Sequence, residues 1–283
     1  MLMPALIGLM AFMVLPFLLA VALSVTDARL GSPLPIRFVG FEAYVSVLKD
    51  PVFWQALLNN VLFAAVIVPL QTTLALGLAL LLNRPLAGMP VFRTLFFMPV
   101  VFPMSLVAVV WILIYAPGPN GWLNSVLGAI TFGAAVPRDF LHDPHLALPA
   151  IAVTSVWQGV GFQMVVLLAG LQGIDGALYE AATVDGAGPR QRFWHITLPG
   201  LRNPLAFVVI VTSILSFRLF DQVRIMTGGG PSGATRTVVL EAVRAAFDRA
   251  QLSRGAVFTV LFFIVVLVIT VMERRCFKED RES

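Results

Sequence analysis

The residues able to carry bond chemistry are few in this chain, and their spacing mostly argues against it. A phosphate-binding loop needs a glycine-rich turn ending in Lys-Ser or Lys-Thr. The only lysines, Lys49 and Lys278, are followed by Asp50 and Glu279. Gly228-x-Gly230-x-x-Gly233 has the spacing of a dinucleotide fingerprint, but it follows an apolar helical run rather than a strand. His142-Asp143-Pro-His145 stands in a polar loop without cysteines, and we read it as loop rather than metal site. The single cysteine, Cys276, forbids an internal disulfide. No serine–histidine–carboxylate or paired-carboxylate arrangement stands out, so no catalytic residue and no metal is expected.

The polar chemistry concentrates instead in one stretch, Glu180 to Pro199, set between long apolar runs. Glu180 to Asp185 contains no helix breaker, and Ala181 and Ala182 give a small face that a partner surface can approach closely. Gly186 and Gly188 offer the positive φ angles that stop a helix. Pro189 suits the first position of a second short helix, expected through Arg190 to Ile196, with Pro199 leading into the next apolar run.

The elements around this stretch read as membrane-spanning. The chain has 283 residues, 59% hydrophobic and 12% charged, with a mean hydropathy of +0.91. Soluble domains carry about 25% charged residues. The net charge of +4 comes from scattered basic residues, which gives no footprint for nucleic acid. Six apolar segments are expected as spans at about 2–25, 58–82, 94–115, 148–171, 201–220 and 255–272, forming one transmembrane domain over 1–275 with a charged tail at 276–283. The first has no charged residue in 24 positions, or about 36 Å of helix, enough for a bilayer core. Short interfacial helices are expected at Phe41–Tyr44 and Asp50–Trp54, and polar loops at 116–147 and 221–254. Asn59, Asn60 and Gln71 should face other helices. Two prolines, Pro99 and Pro103, imply a bent third span. Arg218 and Asp221, three apart, could pair on one helical face.

Six spans put both termini and the 172–200 loop on one side. Nine basic residues fall on each side, more densely on the side of the tail, which makes that side cytoplasmic.

The spacing Glu180-Ala181-Ala182-x3-Gly186-x9-Ile196-x-Leu198-Pro199 resembles the EAA loop of permease subunits of binding-protein-dependent ABC importers. Ser216-Phe217-Arg218-Leu219-Phe220-Asp221, followed by Thr227-Gly228-Gly229-Gly230-Pro231, resembles the carbohydrate-type branch of that family, as does the Phe38–Trp54 stretch. One departure is that the sequence opens almost inside its first span, where relatives usually carry a basic stretch first. The resemblance implies an all-α integral membrane protein of the type I ABC importer permease fold, placed multi-pass in a bacterial plasma membrane. It implies that Glu180, Ala181, Ala182, Asp185, Gly186, Ile196, Leu198 and Pro199 couple to an ATPase. Gly228, Gly229, Gly230 and Pro231 would face a binding protein across an adaptable turn. The implied partners are a second, similar permease subunit, two ATPase subunits that hold ATP and Mg, a periplasmic or lipid-anchored binding protein, and membrane lipid. Trp157, Gln158, Gln163, Ser216, Phe217 and Asp221 are the candidates for a solute path. Aromatic faces with amides and hydroxyls suit a neutral sugar. The alternative solutes are glycerol phosphate or a glycerophosphodiester. An ion-coupled transporter is a more distant alternative, because the spans hold few ionisable groups.

Overall fold

A computed structural model describes residues 3–84, 88–119 and 121–279, with side chains to 275. It is built from helices. α1 spans Met3–Ser24, α2 Glu42–Leu48, α3 Pro51–Leu82, α4 Met89–Val101 and α5 Met104–Ile114. A short α6, Trp122–Ile130, precedes α7, Ala147–Gln172. After the polar stretch come α10 Arg202–Phe217, α11 Asp221–Met226, α12 Val238–Val243 and α13 Leu252–Glu279. Two further helices, α8 and α9, lie between α7 and α10 and are described below. Among the described residues five helices are long and apolar enough to cross a membrane, or six if α4 and α5 count as one bent span.

Several expected boundaries move, each for a local reason. Asp50–Trp54 is not a separate interfacial helix. Asp50 caps α3 by accepting from Val52 N at 2.8 Å, and Pro51 supplies its first position, so the helix runs 32 residues. The third segment, expected to bend, is bent so far that it breaks. Phe102 is extended ahead of Pro103, and α4 and α5 meet at 100°. The expected loops at 116–147 and 221–254 contain α6, α11, α12 and a π-helical turn at Arg244–Asp248. α10 stops at Phe217, short of 220. The helix breaks at 218–220, so Arg218 and Asp221 are not one turn apart, and among the described residues no ion pair joins them. α13 runs on through the start of the expected tail. Residues 280–283, and the side chains of 276–279 including Cys276, lie outside the described residues.

Packing centres on α3, which lies along α7 and α10. Its amides turn inward as expected: Asn59, Asn60 and Gln71 are buried. Asn60 Nδ2 donates to Phe217 O at 3.2 Å, and Asn60 Oδ1 accepts from Val238 N at 3.0 Å. Asn59 Nδ2 donates to Gly233 O and Arg236 O, both at 2.9 Å. α3 thereby closes the backbone left open where α10 ends and where α12 begins. On α7, two glycines permit close approach. A Cβ on Gly161 would lie 2.0 Å from Phe96 O of α4, and one on Gly159 would lie 2.3 Å from Gln71 Nε2.

The loop joining α7 to α10 lies at one end of this bundle. Residues 25–50 and 218–254 gather at the other. Leu30 N donates to Ala250 O at 2.8 Å, Ser253 N donates to Ala28 O at 3.1 Å, and Arg254 pairs with Asp50.

Gly161→Ala should therefore cost about 1–3 kcal/mol, since a backbone oxygen cannot step aside. Gly128→Ala, on α6 with nothing within 4 Å, is the control. Melting of the purified protein should shift downward in the first variant alone.

Candidate functional site

The polar stretch folds into two helical arms. α8 covers Gly176–Val184, and α9 covers 189–200. Asp175 starts α8, its carboxylate accepting from Ala177 N at 2.9 Å. Gly186 ends it at φ +75°. Ala187 N bonds to Ala182 O at 2.8 Å and Gly186 N to Thr183 O at 3.1 Å, the two bonds of a Schellman stop. Gly188 has no positive φ, contrary to the expectation. It is extended at φ −70°, and its N–H donates to Gln191 Oε1 at 2.8 Å, so it caps α9 ahead of Pro189.

α9 also runs further than Ile196. A π-helical turn occupies Phe193–Thr197, and Leu198 N reaches back to Phe193 O. This wider turn carries the helix past Pro199, which has no N–H for an ordinary helical bond. Pro199 is thus inside α9 rather than at the start of the next run.

Two hydrogen bonds fix the arms to each other. Tyr179 Oη and Thr197 Oγ1 are 2.9 Å apart, and Arg192 Nη1 donates to Thr183 Oγ1 at 3.1 Å. Tyr179 and Thr183 share one helical face. The opposite face of α8 carries Ala177, Glu180, Ala181 and Val184, and no residue of α8 is buried. Glu180, Ala181, Asp185, Gly186 and Pro199 are exposed, and Ala182, Ile196 and Leu198 are half-buried. Val184 is 89% exposed, Trp194 62% and Leu178 53%. These are apolar side chains without cover on a segment that is polar in sequence. Sequence reasoning missed the Tyr179–Thr197 and Thr183–Arg192 bonds, although the four-residue spacing of Tyr179 and Thr183 signals a shared face.

The six solute-path candidates do not converge. Gln163 is buried between α7 and α10, where Nε2 donates to Thr212 Oγ1 at 2.6 Å and Oε1 has no partner. Ser216 is buried one turn on and donates to Thr212 O at 2.8 Å. Phe217 packs against Phe262, with ring centroids 6.1 Å apart. Gln158 is half-buried at the broken span, where Nε2 donates to Phe102 O at 3.3 Å. Trp157 lies apart from these. It meets Trp111 edge-on at 5.8 Å and lines an apolar groove of about 880 Å³ with Tyr115, Trp122 and Phe140. Asp221 is exposed at the start of α11. Its neighbour Gln222 donates to Ser155 Oγ of α7 at 3.1 Å, a link the sequence did not suggest.

Side-chain hydrogen bonds reach into the glycine turn. Gly228 and Gly229 have φ +56° and +83°. Arg244 donates to Gly228 O, and Thr235 Oγ1 donates to Gly230 O at 2.7 Å while also meeting Thr227 Oγ1 at 2.7 Å. On the same side of the bundle, His142 Nδ1 lies 2.9 Å from Asp139 Oδ1. Partial burial pushes the Asp139 carboxyl upward, but its hydrogen bonds and proximity to His142 outweigh this and hold it below the usual carboxylate range.

A bundle of long apolar helices, broken at its third span and interrupted by one exposed two-armed loop, is the architecture of an ABC importer permease. Residues 1–275 match the family described as the binding-protein-dependent transport system inner membrane component, and the chain belongs to it. It is 37% identical to the trehalose/maltose transport system permease protein MalF of Thermococcus litoralis, over 83% of this chain and 78% of that one. It is 34% identical to the sulfoquinovosyl glycerol transport system permease protein SmoG of Agrobacterium fabrum, over 96% and 87%. The fold matches a chain of a bacterial alginate ABC transporter solved in complex with an alginate pentasaccharide-bound periplasmic protein, with a TM-score of 0.84 at 22% identity, over 98% and 94% of the two chains.

The stop at Gly186 yields a prediction about the arms. An added Cβ there meets nothing within 4 Å, so only its conformation resists substitution. Gly186→Val should cost about 1–2 kcal/mol. In amide hydrogen exchange, the amides at positions 186 and 187 should then exchange about tenfold faster, while Gly186→Asn, which tolerates positive φ, stays near the parent.

Proposed function

We propose that this permease imports a sugar or sugar derivative handed to it by an extracytoplasmic binding protein, and that the α8–α9 loop receives the force of a partner ATPase. The observation that carries this reading is α8 itself. It buries no residue, and one face presents Val184 beside Ala177, Glu180 and Ala181 at one end of an otherwise apolar bundle. Uncovered apolar groups outside a bilayer mark a docking surface. Glu180, Ala181, Ala182 and Asp185 form the contact with the ATPase. Gly186 sets where α8 stops, and Ile196, Leu198 and Pro199 fix α9 behind it. Two ATPase subunits bind ATP and Mg and close on it. Their closure drives this chain and a second, similar permease subunit between inward- and outward-facing states.

In this reading the loop end is cytoplasmic, with both termini, and the chain crosses a bacterial inner membrane six times with α4 and α5 as one broken span. The Gly228–Pro231 turn faces the binding protein. A sugar is favoured by what the relatives MalF and SmoG are named for. The polar groups along α7, α10 and the start of α11 support it: Gln158, Gln163, Ser216 and Asp221 supply hydrogen bonds, and Phe217 apolar contact. Trp157 is the weakest member, because its groove is almost wholly apolar and offers nothing to sugar hydroxyls.

The test is ATP hydrolysis by the purified assembly in lipid, with candidate binding proteins and a panel of sugars and glycerophospho compounds. One loaded binding protein should stimulate hydrolysis. Glu180→Ala and Val184→Asp should each lower that stimulation about tenfold, an effect typical of central contacts in an interface. Uptake driven by an ion gradient with no co-purifying ATPase would overturn the reading.

A further inference from the structure

Glu241 is the most deeply buried charged side chain among the described residues, at 1% exposure, and it stands in the apolar run of α12. Three guanidinium groups surround it. Arg244 Nη1 lies 3.1 Å from Oε1, Arg236 Nε 3.3 Å from Oε1, and Arg249 Nη2 3.3 Å from Oε2. One carboxylate can neutralise one charge, so this cluster holds two positive charges in surplus. Three other acids at this end of the bundle have basic partners of their own, while Asp27, Glu42, Asp143 and Asp221 form no ion pair among the described residues. Asp248 faces Arg224 at 4.0 Å, Asp50 pairs with Arg254, and Asp139 meets His142.

The surplus is presented outward. The side chains of Arg236, Arg244 and Arg249 are 25%, 29% and 50% exposed. Each guanidinium has five N–H donors. Arg236 spends one on Gln55 Oε1 at 3.3 Å and Arg244 one on Gly228 O, which ties the cluster to the glycine turn. Arg249 has Glu241 as its side-chain partner and donors left over. A buried acid that gathers arginines and leaves them half-exposed in one orientation builds a face suited to bidentate recognition of carboxylates.

We propose that Arg236, Arg244 and Arg249, held in place by Glu241, form the docking face for an acidic surface on the binding protein that delivers solute to this permease. The inference rests on the importer reading and gives that partner's contact its charge. A face of this kind raises the association rate and makes docking sensitive to salt.

The experiment uses the full assembly in lipid and the binding protein that most strongly stimulates wild-type ATP hydrolysis, titrated at about 0.05 M and about 0.5 M salt, where screening differs several-fold. Arg249→Glu should raise the half-saturating concentration of binding protein about tenfold at low salt, with the gap narrowing at high salt. Arg249→Lys, which keeps the charge, should lie between it and the wild type. Equal half-saturation for wild type and Arg249→Glu at both salts would overturn the docking face alone. So would a lower maximal rate with unchanged half-saturation and unchanged salt dependence, which would make the cluster a purely internal brace. A shift that follows the anionic lipid content of the bilayer would assign the arginines to lipid headgroups instead. If no binding protein stimulates the wild type, the importer reading falls and this one with it.

Discussion

Inside a bilayer a polar group finds no water, so each one buried there must be matched by another part of the protein. That constraint explains most of the architecture. α3 is the clearest case. Its 32 residues are mostly apolar, and two of its buried amides, Asn59 and Asn60, are spent on other segments' backbone. Asn60 serves a carbonyl at the end of α10 and an amide at the start of α12, and Asn59 serves two carbonyls between Gly233 and Arg236. Gln158 does the same for Phe102 at the break between α4 and α5. Irregular backbone is tolerated in this chain where a side-chain amide arrives to close it.

The α8–α9 loop obeys the opposite logic. Its backbone is satisfied locally, by the Asp175 cap, the Gly186 stop and the Gly188–Gln191 bond. Its side chains are bonded to each other through Tyr179–Thr197 and Thr183–Arg192. The loop is therefore a rigid two-armed body that needs little from the bundle. Gly200 and Gly170 let its ends seat closely: a Cβ on Gly200 would lie 2.8 Å from Ile174 Cδ1, and one on Gly170 would lie 2.6 Å from Pro204 Cγ. Under the proposed coupling, a body that is stiff inside and closely seated at its ends would pass a push to α7 and α10 together instead of absorbing it.

What could be read from the sequence divides along physical lines. The apolar runs were legible because hydrophobicity over about 20 residues is a strong signal. The α8 stop was legible because glycine is the residue that takes φ +75° without strain. Gly188 was misread by the same rule, since a glycine can also serve in an extended cap, and only its neighbours Pro189 and Gln191 decide between the two. The helical pieces after Phe217 were hidden by polarity. Glu241 and its arginines look like a solvated loop until tertiary packing buries the acid. The solute path was least legible, because an amide that binds a solute and an amide that closes a helix break are the same residue in sequence.

The two ends of the bundle differ in the kind of surface they offer. At the α8–α9 end Val184, Leu178 and Trp194 stand uncovered among exposed polar groups that include Asp175, Glu180, Asp185, Arg190 and His195. Apolar contact is short-ranged and holds only once surfaces meet, which suits a partner that stays attached through many cycles. At the opposite end the arginines around Glu241 are part-exposed, beside exposed apolar groups such as Phe132, Val136 and Phe247. Charge acts over about a Debye length and weakens steeply with salt, which suits a partner that must arrive, discharge and leave. On the proposed reading the apolar groups of α8 and α9 would meet the ATPase and the arginines around Glu241 the binding protein, so the two contacts would differ in reach and in salt dependence.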